Sequence, residues 1–258
     1  MDTLSETSIR ANLKTSFVGQ NIIYIPSVSS TMDVARKAAR ERAIEGTLVI
    51  ADRQTAGRGR TGRTWISLQG GLSFSVILYP ALPQLSSLIM IASLAVVHSI
   101  ESLTLLRAGI KWPNDVLING KKVCGILIES AVKGAGVDFS IIGIGLNVNG
   151  EPPVLSPPAI LATSLSAETG QEISRLKMLS KLMEEIEYLY EMVRAGRSLV
   201  SEWRQRLETL GRQVQVEMDG ITISGIAEDV EENGSLILRG LDGKLTEVVA
   251  GDVTLRIV

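Results

Sequence analysis

The chain has 258 residues, 45% hydrophobic and 21% charged, a globular composition that excludes disorder. Lys and Arg number 26 against 28 Asp and Glu, and the net charge of −2 argues against a dedicated nucleic-acid binder. The single Cys124 excludes an intramolecular disulfide, and the single His98 excludes zinc sites of the Cys/His kind and any Ser-His-Asp hydrolase that does not use it.

A chain this long buries roughly 70–75% of its unfolded surface and needs no staples. The polar N-terminus has no apolar signal core. The longest apolar run, residues 88–97, is too short for a membrane span of about 20 residues and is interrupted by Ser93. With one unpaired cysteine, these features point to a soluble cytoplasmic protein with no membrane partner.

In chain order, residues 21–25 are predicted as a strand. A helix follows, capped by Ser30 or Thr31, with Ser30 and Asp33 at capping-box spacing and Val34, Ala35, Ala38 and Ala39 as its apolar stripe. Residues 47–51 form a second strand, a Gly- and Arg-rich loop runs to Trp65, and residues 72–79 alternate as a strand. Residues 83–106 read as a long, largely buried helix. Strands are expected at 109–112, 123–132 and 138–148, with Asn119-Gly120 as a hairpin turn. Residues 151–158 carry four prolines and read as a surface loop. Helices are expected at 174–194 and at 199–210, the second ending on Gly211 as its C′ glycine. From 213 onward, short alternating strands and the pairs Asp219-Gly220, Asn233-Gly234 and Asp242-Gly243 suggest a five-stranded SH3-like barrel. The expected division is 1–211 and 212–258.

Two constellations carry chemistry. Gly57-Arg58-Gly59-Arg60-Thr61-Gly62 matches G-x-G-x-x-G, but five residues separate it from the preceding strand and Arg63-Thr64-Trp65 follows. That context excludes a dinucleotide fingerprint, which needs a strand and a helix directly flanking it. Its glycines still let backbone approach a ligand, and Arg58, Arg60 and Arg63 suit carboxylate or phosphate. The other reading of this loop is a solvated basic segment. The second constellation, Lys111-Trp112-Pro113-Asn114-Asp115, gathers a cation, an amide and a carboxylate at a strand end that Pro113 bends. Gly125, in mid-strand, implies close approach of some group to the backbone.

These segments, with Ser30-Thr31, Arg53-Gln54, Lys122-Val123-Cys124-Gly125-Ile126-Leu127-Ile128-Glu129 and Gly143-Ile144-Gly145-Leu146-Asn147-Val148-Asn149, resemble the biotin–protein ligases (biotin–[acetyl-CoA-carboxylase] ligases). The likeness runs from about residue 20 to the C-terminus. The short N-terminus resembles the monofunctional, archaeal-like form without a DNA-binding domain, for which about twenty residues leave no room.

The resemblance implies an α/β (α+β) fold: a mixed β-sheet with helices packed on one face, of the class II aminoacyl-tRNA synthetase/biotin ligase kind, plus the small barrel. It implies that biotin reacts with ATP and Mg²⁺ to give biotinyl-5′-AMP. Biotin then passes to one lysine of a biotin carboxyl carrier protein domain. Arg60 and Lys111 are implied beside the biotin carboxylate and the α-phosphate as the catalytic cations. Ser30, Thr31, Gln54, Gly57, Arg58, Gly59 and Gly125 are implied around biotin, and Arg63, Trp65, Asn114, Asp115 and Asn147 around the nucleotide. Trp65 either walls the adenine or closes the loop as a core aromatic, and Asn147 either reads the adenine edge or ends a strand. No metal ligand is assigned, since Mg²⁺ is expected on the phosphates.

Many relatives have Asn after the Ser-Thr pair where this chain has Met32, so no polar contact is expected there. The loop at 57–63 is expected to be mobile without ligand and ordered with it. Cys124 and His98 read as structural. A homodimer is implied by the family alone. The runner-up activity is a lipoate–protein ligase on the same fold; an RNA- or carrier-binding adaptor is the non-enzymatic alternative.

Overall fold

A computed structural model describes residues 3–153, 161–218, 221–249 and 251–255. The expected Asp219-Gly220 turn and most of the proline-rich loop lie outside these residues.

The first sheet has seven strands: β1 (Ile22–Val28), β2 (Leu48–Gln54), β5 (Leu72–Leu78), β6 (Gly109–Lys111), β7 (Asp115–Ile118), β8 (Lys121–Lys133) and β9 (Gly136–Leu146). Their order is β1-β2-β5-β9-β8-β7-β6. Only β1 and β2 run parallel, joined over the sheet by α2 (Thr31–Arg40), and the other pairs are antiparallel. Pro26 is tolerated because β1 is an edge strand.

Strand alternation sorts the sheet into two unlike faces. Leu48, Ile50, Phe74, Val76, Ile142, Ile144 and Ile126 point to one face and join the main core. There they meet α3 (Ser87–Leu103) and α5 (Arg175–Arg194). On the other face, Val49, Ile77 and Ile141 make a smaller core with Met32, Ala35 and Ala39 of α2. The sheet thus carries its two long helices on one face and α2 on the other.

Element ends shift for local reasons. The long apolar helix starts at Ser87, because a 3-10 turn at Leu82–Gln84 takes up Pro83, and it stops at Leu103. The helix expected at 199–210 is α6 (Val200–Arg206). It ends early because Leu207 pairs in parallel with Ile110 and the Glu208 N–H donates to the Ile110 carbonyl at 2.8 Å. This covers the β6 edge of the sheet. Gly211 (φ +74°) is therefore not the helix's C′ residue; its N–H donates to the Ala227 carbonyl at 2.7 Å, on the way into the second sheet. Two short helices, α1 (Glu6–Asn12) and α4 (Leu165–Thr169), were not expected from the sequence.

The second sheet is β10 (Gln213–Met218), β11 (Ile221–Val230), β12 (Leu236–Arg239), β13 (Leu245–Val248) and β14 (Asp252–Leu255). All are antiparallel, in the order β13-β12-β11-β10-β14. Gly234 (φ +81°) and Gly243 (φ +78°) turn its hairpins where Asn-Gly and Asp-Gly pairs stand in the sequence.

Candidate active site

The face that carries α2 changes character toward β6. Register aligns Ala51, Ser73, Gly145, Gly125, Asp115 and Lys111 in one row across β2, β5, β9, β8, β7 and β6. The neighbouring row is Val49, Ser75, Gly143 and Leu127. Residues in register share a face, so these small residues make a trough with an ion pair's worth of charge at one end.

The glycines are there for closeness. A Cβ on Gly145 would lie 2.2 Å from the Trp65 ring, and one on Gly125 would lie 3.1 Å from it. A Cβ on Gly143 would lie 2.5 Å from the Met32 sulfur. Trp65, from strand β4 (Thr64–Trp65), therefore lies on the bare backbone of β8 and β9.

The end of the trough toward β2 is polar and neutral. Gln54 Oε1 accepts from the Thr31 N–H at 2.8 Å and from Thr31 Oγ1 at 3.1 Å, while Ser75 Oγ donates to Thr31 Oγ1 at 2.9 Å. Ser30 is the N-cap residue of α2, yet its side chain makes no capping bond, and its buried Oγ has no hydrogen-bond partner. The expected Ser30–Asp33 capping box is therefore absent, because Asp33 pairs with Arg36 and Arg58, each at 2.9 Å. A buried hydroxyl without a partner costs about 1–3 kcal/mol unless a ligand atom satisfies it.

The opposite end is cationic. Lys111 is 93% buried at the end of β6, in the trough row. Arg60 donates to Asn114 Oδ1 at 3.3 Å and to the Gly251 carbonyl at 3.2 Å, and Asn114 in turn donates to the Ile126 carbonyl at 2.7 Å. Lys122 Nζ is 2.6 Å from Asp115 and 5.9 Å from the Trp65 ring centroid. Sequence reasoning assigned Lys122 no role. It shares parity with core-facing Cys124, but a bulge opposite Val116 and Leu117 resets the alternation and turns it into the trough.

The loop between the two ends is closed by backbone hydrogen bonds of its own. Strand β3 (Gly57–Arg58) pairs with β4, and a 3-10 turn at Arg60–Gly62 closes it through Gly59 N–H to the Arg63 carbonyl at 2.7 Å. A cleft of about 560 Å³ separates this loop from residues 127–129 of β8. Arg58 is held by Asp33 and, at 3.4 Å, by Glu129, which also bonds Arg36. Arg63 is exposed at the loop's end. Asn147 is buried just past β9, where its amide donates to the Thr163 carbonyl at 3.0 Å and its carbonyl accepts from Leu165 N–H at 3.0 Å. That tie anchors the chain entering α4.

Cys124 is fully buried, and burial pushes its thiol well above the usual range, so it is inert. His98 sits among the helices, where Glu185 at 2.9 Å and Glu202 at 2.7 Å hold its ring. The bond to Glu185, aided by Glu202 and opposed by burial, raises its pKa above the ordinary 6.5.

Comparisons with known proteins bear on the family and the fold. Residues 24–147 match the Biotin/lipoate A/B protein ligase family and residues 209–256 the Biotin protein ligase C terminal domain. The chain is 38% identical to the bifunctional ligase/repressor BirA of Bacillus subtilis, over 98% of this chain and 79% of that protein. The chain belongs to the biotin protein ligases. The ligase is also 34% identical to the biotin–[acetyl-CoA-carboxylase] ligase of Mycobacterium tuberculosis, over 97% of this chain and 95% of that one. The structure of the Aquifex aeolicus biotin protein ligase in complex with biotin and ATP superposes with a TM-score of 0.75, at 31% identity, over 92% of this chain and 99% of that one.

Both site segments of the ligase reach the second sheet. Trp112 donates its N–H to Thr209 Oγ1 and its indole N–H to the Gly234 carbonyl, each at 2.9 Å. Arg60 reaches Gly251. The expected Lys-Trp-Pro-Asn-Asp constellation is thus divided. Lys111, Asn114 and Asp115 serve the trough, and Trp112 is a joint between the two sheets.

Proposed function

We propose that the ligase binds biotin along the glycine trough, with the ureido ring at Ser30, Thr31 and Gln54 and the carboxylate at Lys111, Arg60 and Lys122. The activity is that of a biotin–[acetyl-CoA-carboxylase] ligase. The unpartnered, buried Ser30 hydroxyl carries the orientation, since a ureido group offers both donors and acceptors and the far end of the trough is cationic.

In the first step a carboxylate oxygen of biotin attacks the α-phosphorus of ATP. The oxygen–phosphorus bond forms, the bond to the bridging oxygen breaks, and pyrophosphate leaves. The carboxylate is ionised at pH 7, so no proton needs removal. The barrier is the approach of an anion to a polyanion, which buried cations lower. Asn114 and Gly251 fix the Arg60 guanidinium for that task. In the second step the acceptor lysine's amine attacks the biotinyl carbonyl and AMP leaves. Asp115 or the leaving phosphate takes the amine's proton.

Arg63 at the loop's end is suited to phosphate, and Trp65 walls the site between ring and nucleotide. Gly57, Arg58 and Gly59 form the cover, with Arg58 acting through its ion pairs. Asn147 supports the nucleotide side through its tie to Thr163. Among the described residues no three His, Cys, Asp or Glu side chains group together, and Asp115 is committed to Lys122. Mg²⁺ would therefore arrive on the triphosphate, which suits an ion that prefers phosphate and water ligands. It would neutralise phosphate charge.

The acceptor is a lysine of a biotin carboxyl carrier protein domain. A division at residues 211/212 and a cytoplasmic homodimer complete the reading. Among the described residues no helix is long and apolar enough to cross a membrane. A single monomer mass in native mass spectrometry would remove the dimer. ATP–pyrophosphate exchange tests the substrate: exchange with biotin and not lipoate is expected, and exchange with lipoate alone would overturn the reading.

A further inference from the structure

We infer that Met32 is the specificity-determining wall of the trough, setting how large a ring system its neutral end accepts. The inference rests on the trough being the biotin site.

Met32 lies one residue beyond Thr31 in the first turn of α2 and is 4% exposed. Its sulfur presses on Gly143, where a Cβ would come within 2.5 Å. Gly143 and Gly145 are two residues apart on β9, about 6.7 Å along the strand, and face the same way. Trp65 covers the second and Met32 the first, so the two side chains stand side by side on one bare floor.

Beyond Met32 the trough ends. The next row on this face is Ile77 and Ile141, which belong with Met32 to the smaller core. Met32 is therefore the boundary between packed interior and ligand floor. Small Ala35 and Ala39 lie behind it on the same helix and let α2 sit close to the sheet. The thioether is flexible and polarisable, which suits contact with an apolar bicycle. The polar Ser30–Thr31–Gln54 group is adjacent, so the ring system, not the chain, meets Met32.

The test is ATP–pyrophosphate exchange by Met32→Ala and Met32→Phe. The acids offered are biotin, an analogue one carbon larger on its sulfur ring, and an analogue one carbon longer in its chain. Met32→Ala should raise the biotin KM about tenfold, within the range for lost methylene contacts, with kcat within about threefold. Its preference for the ring-enlarged analogue over biotin should rise about tenfold, and its preference for the chain-lengthened analogue should not move. Met32→Phe should raise the biotin KM by at least about tenfold while the ATP KM stays within about twofold. Equal shifts for both analogues, or a biotin KM within twofold in both variants, would overturn the inference. Gly145→Ala separates the two levels. If it raises the biotin KM while the Met32 variants do not, only the role of Met32 fails. If it too leaves biotin unaffected, the trough itself is not the biotin site.

Discussion

The two faces of the central sheet are built from the same strands with opposite intent. On β9, Ile142, Ile144 and Leu146 point into the main core, while Gly143 and Gly145 between them carry no side chain. On β5, Phe74 and Val76 alternate with Ser73 and Ser75. One face fills its space with its own branched side chains, and the other leaves bare backbone that Trp65 and Met32 approach from outside the sheet. The same strands that carry the bare floor are packed on their opposite face against α3 and α5.

The sharpest break of this comparison lies at the cationic end of the open face. Lys111→Gln should cut biotin-dependent ATP–pyrophosphate exchange about 10²–10³-fold, the usual loss when one group stabilising transition-state charge is removed. A loss under fivefold would mean Lys111 only fills its place at the end of β6.

A pair of substitutions on adjacent residues of β9 tests the division directly. Ile144→Ala should cost about 2–4 kcal/mol of unfolding free energy in denaturant titration. Its biotin KM should stay near that of the parent. Gly145→Val should do the reverse, raising the biotin KM at least tenfold because its side chain would displace Trp65. If both variants lost stability and affinity together, the faces would not be separable.

Smaller effects are expected where the faces meet the rest of the molecule. Trp112→Phe leaves the Gly234 carbonyl without its indole donor. The unfolding free energy should fall by about 1–3 kcal/mol. The smallest effect concerns His98 on the helical side. Its raised pKa means that its stabilising contribution is complete below about 6.5 and is lost as pH rises through the higher folded value. Thermal melts should show this loss on the alkaline side, and His98→Gln should flatten it. An unchanged pH profile in the variant would assign the loss to other groups.

Legibility followed the range of the forces involved. The strand-and-helix periodicities and the Asn233-Gly234 and Asp242-Gly243 turns were visible because each depends on neighbours in sequence. The motifs carrying Arg60, Lys111, Asn114 and Gly125 were legible as a set. Lys122 was not, because a bulge on β8 reverses the face that alternation assigns it. The partners of the Arg58 side chain, Asp33 and Glu129, were not legible either, since Glu129 lies 71 positions away on another strand. The Ser30–Asp33 spacing suggested a cap that those ion pairs preclude.

The sequence by itself determined the two-sheet plan, because that rests on local patterns, and its motifs together carried the resemblance to the family, which is what implied the adenylate chemistry. Tertiary structure alone decided which glycines form a floor, which cations converge at one end of it, and that Trp112 joins the sheets. Those outcomes depend on strand register and on contacts between residues a hundred or more positions apart, such as Trp112 with Gly234 and Arg60 with Gly251. No short-range pattern encodes such distances.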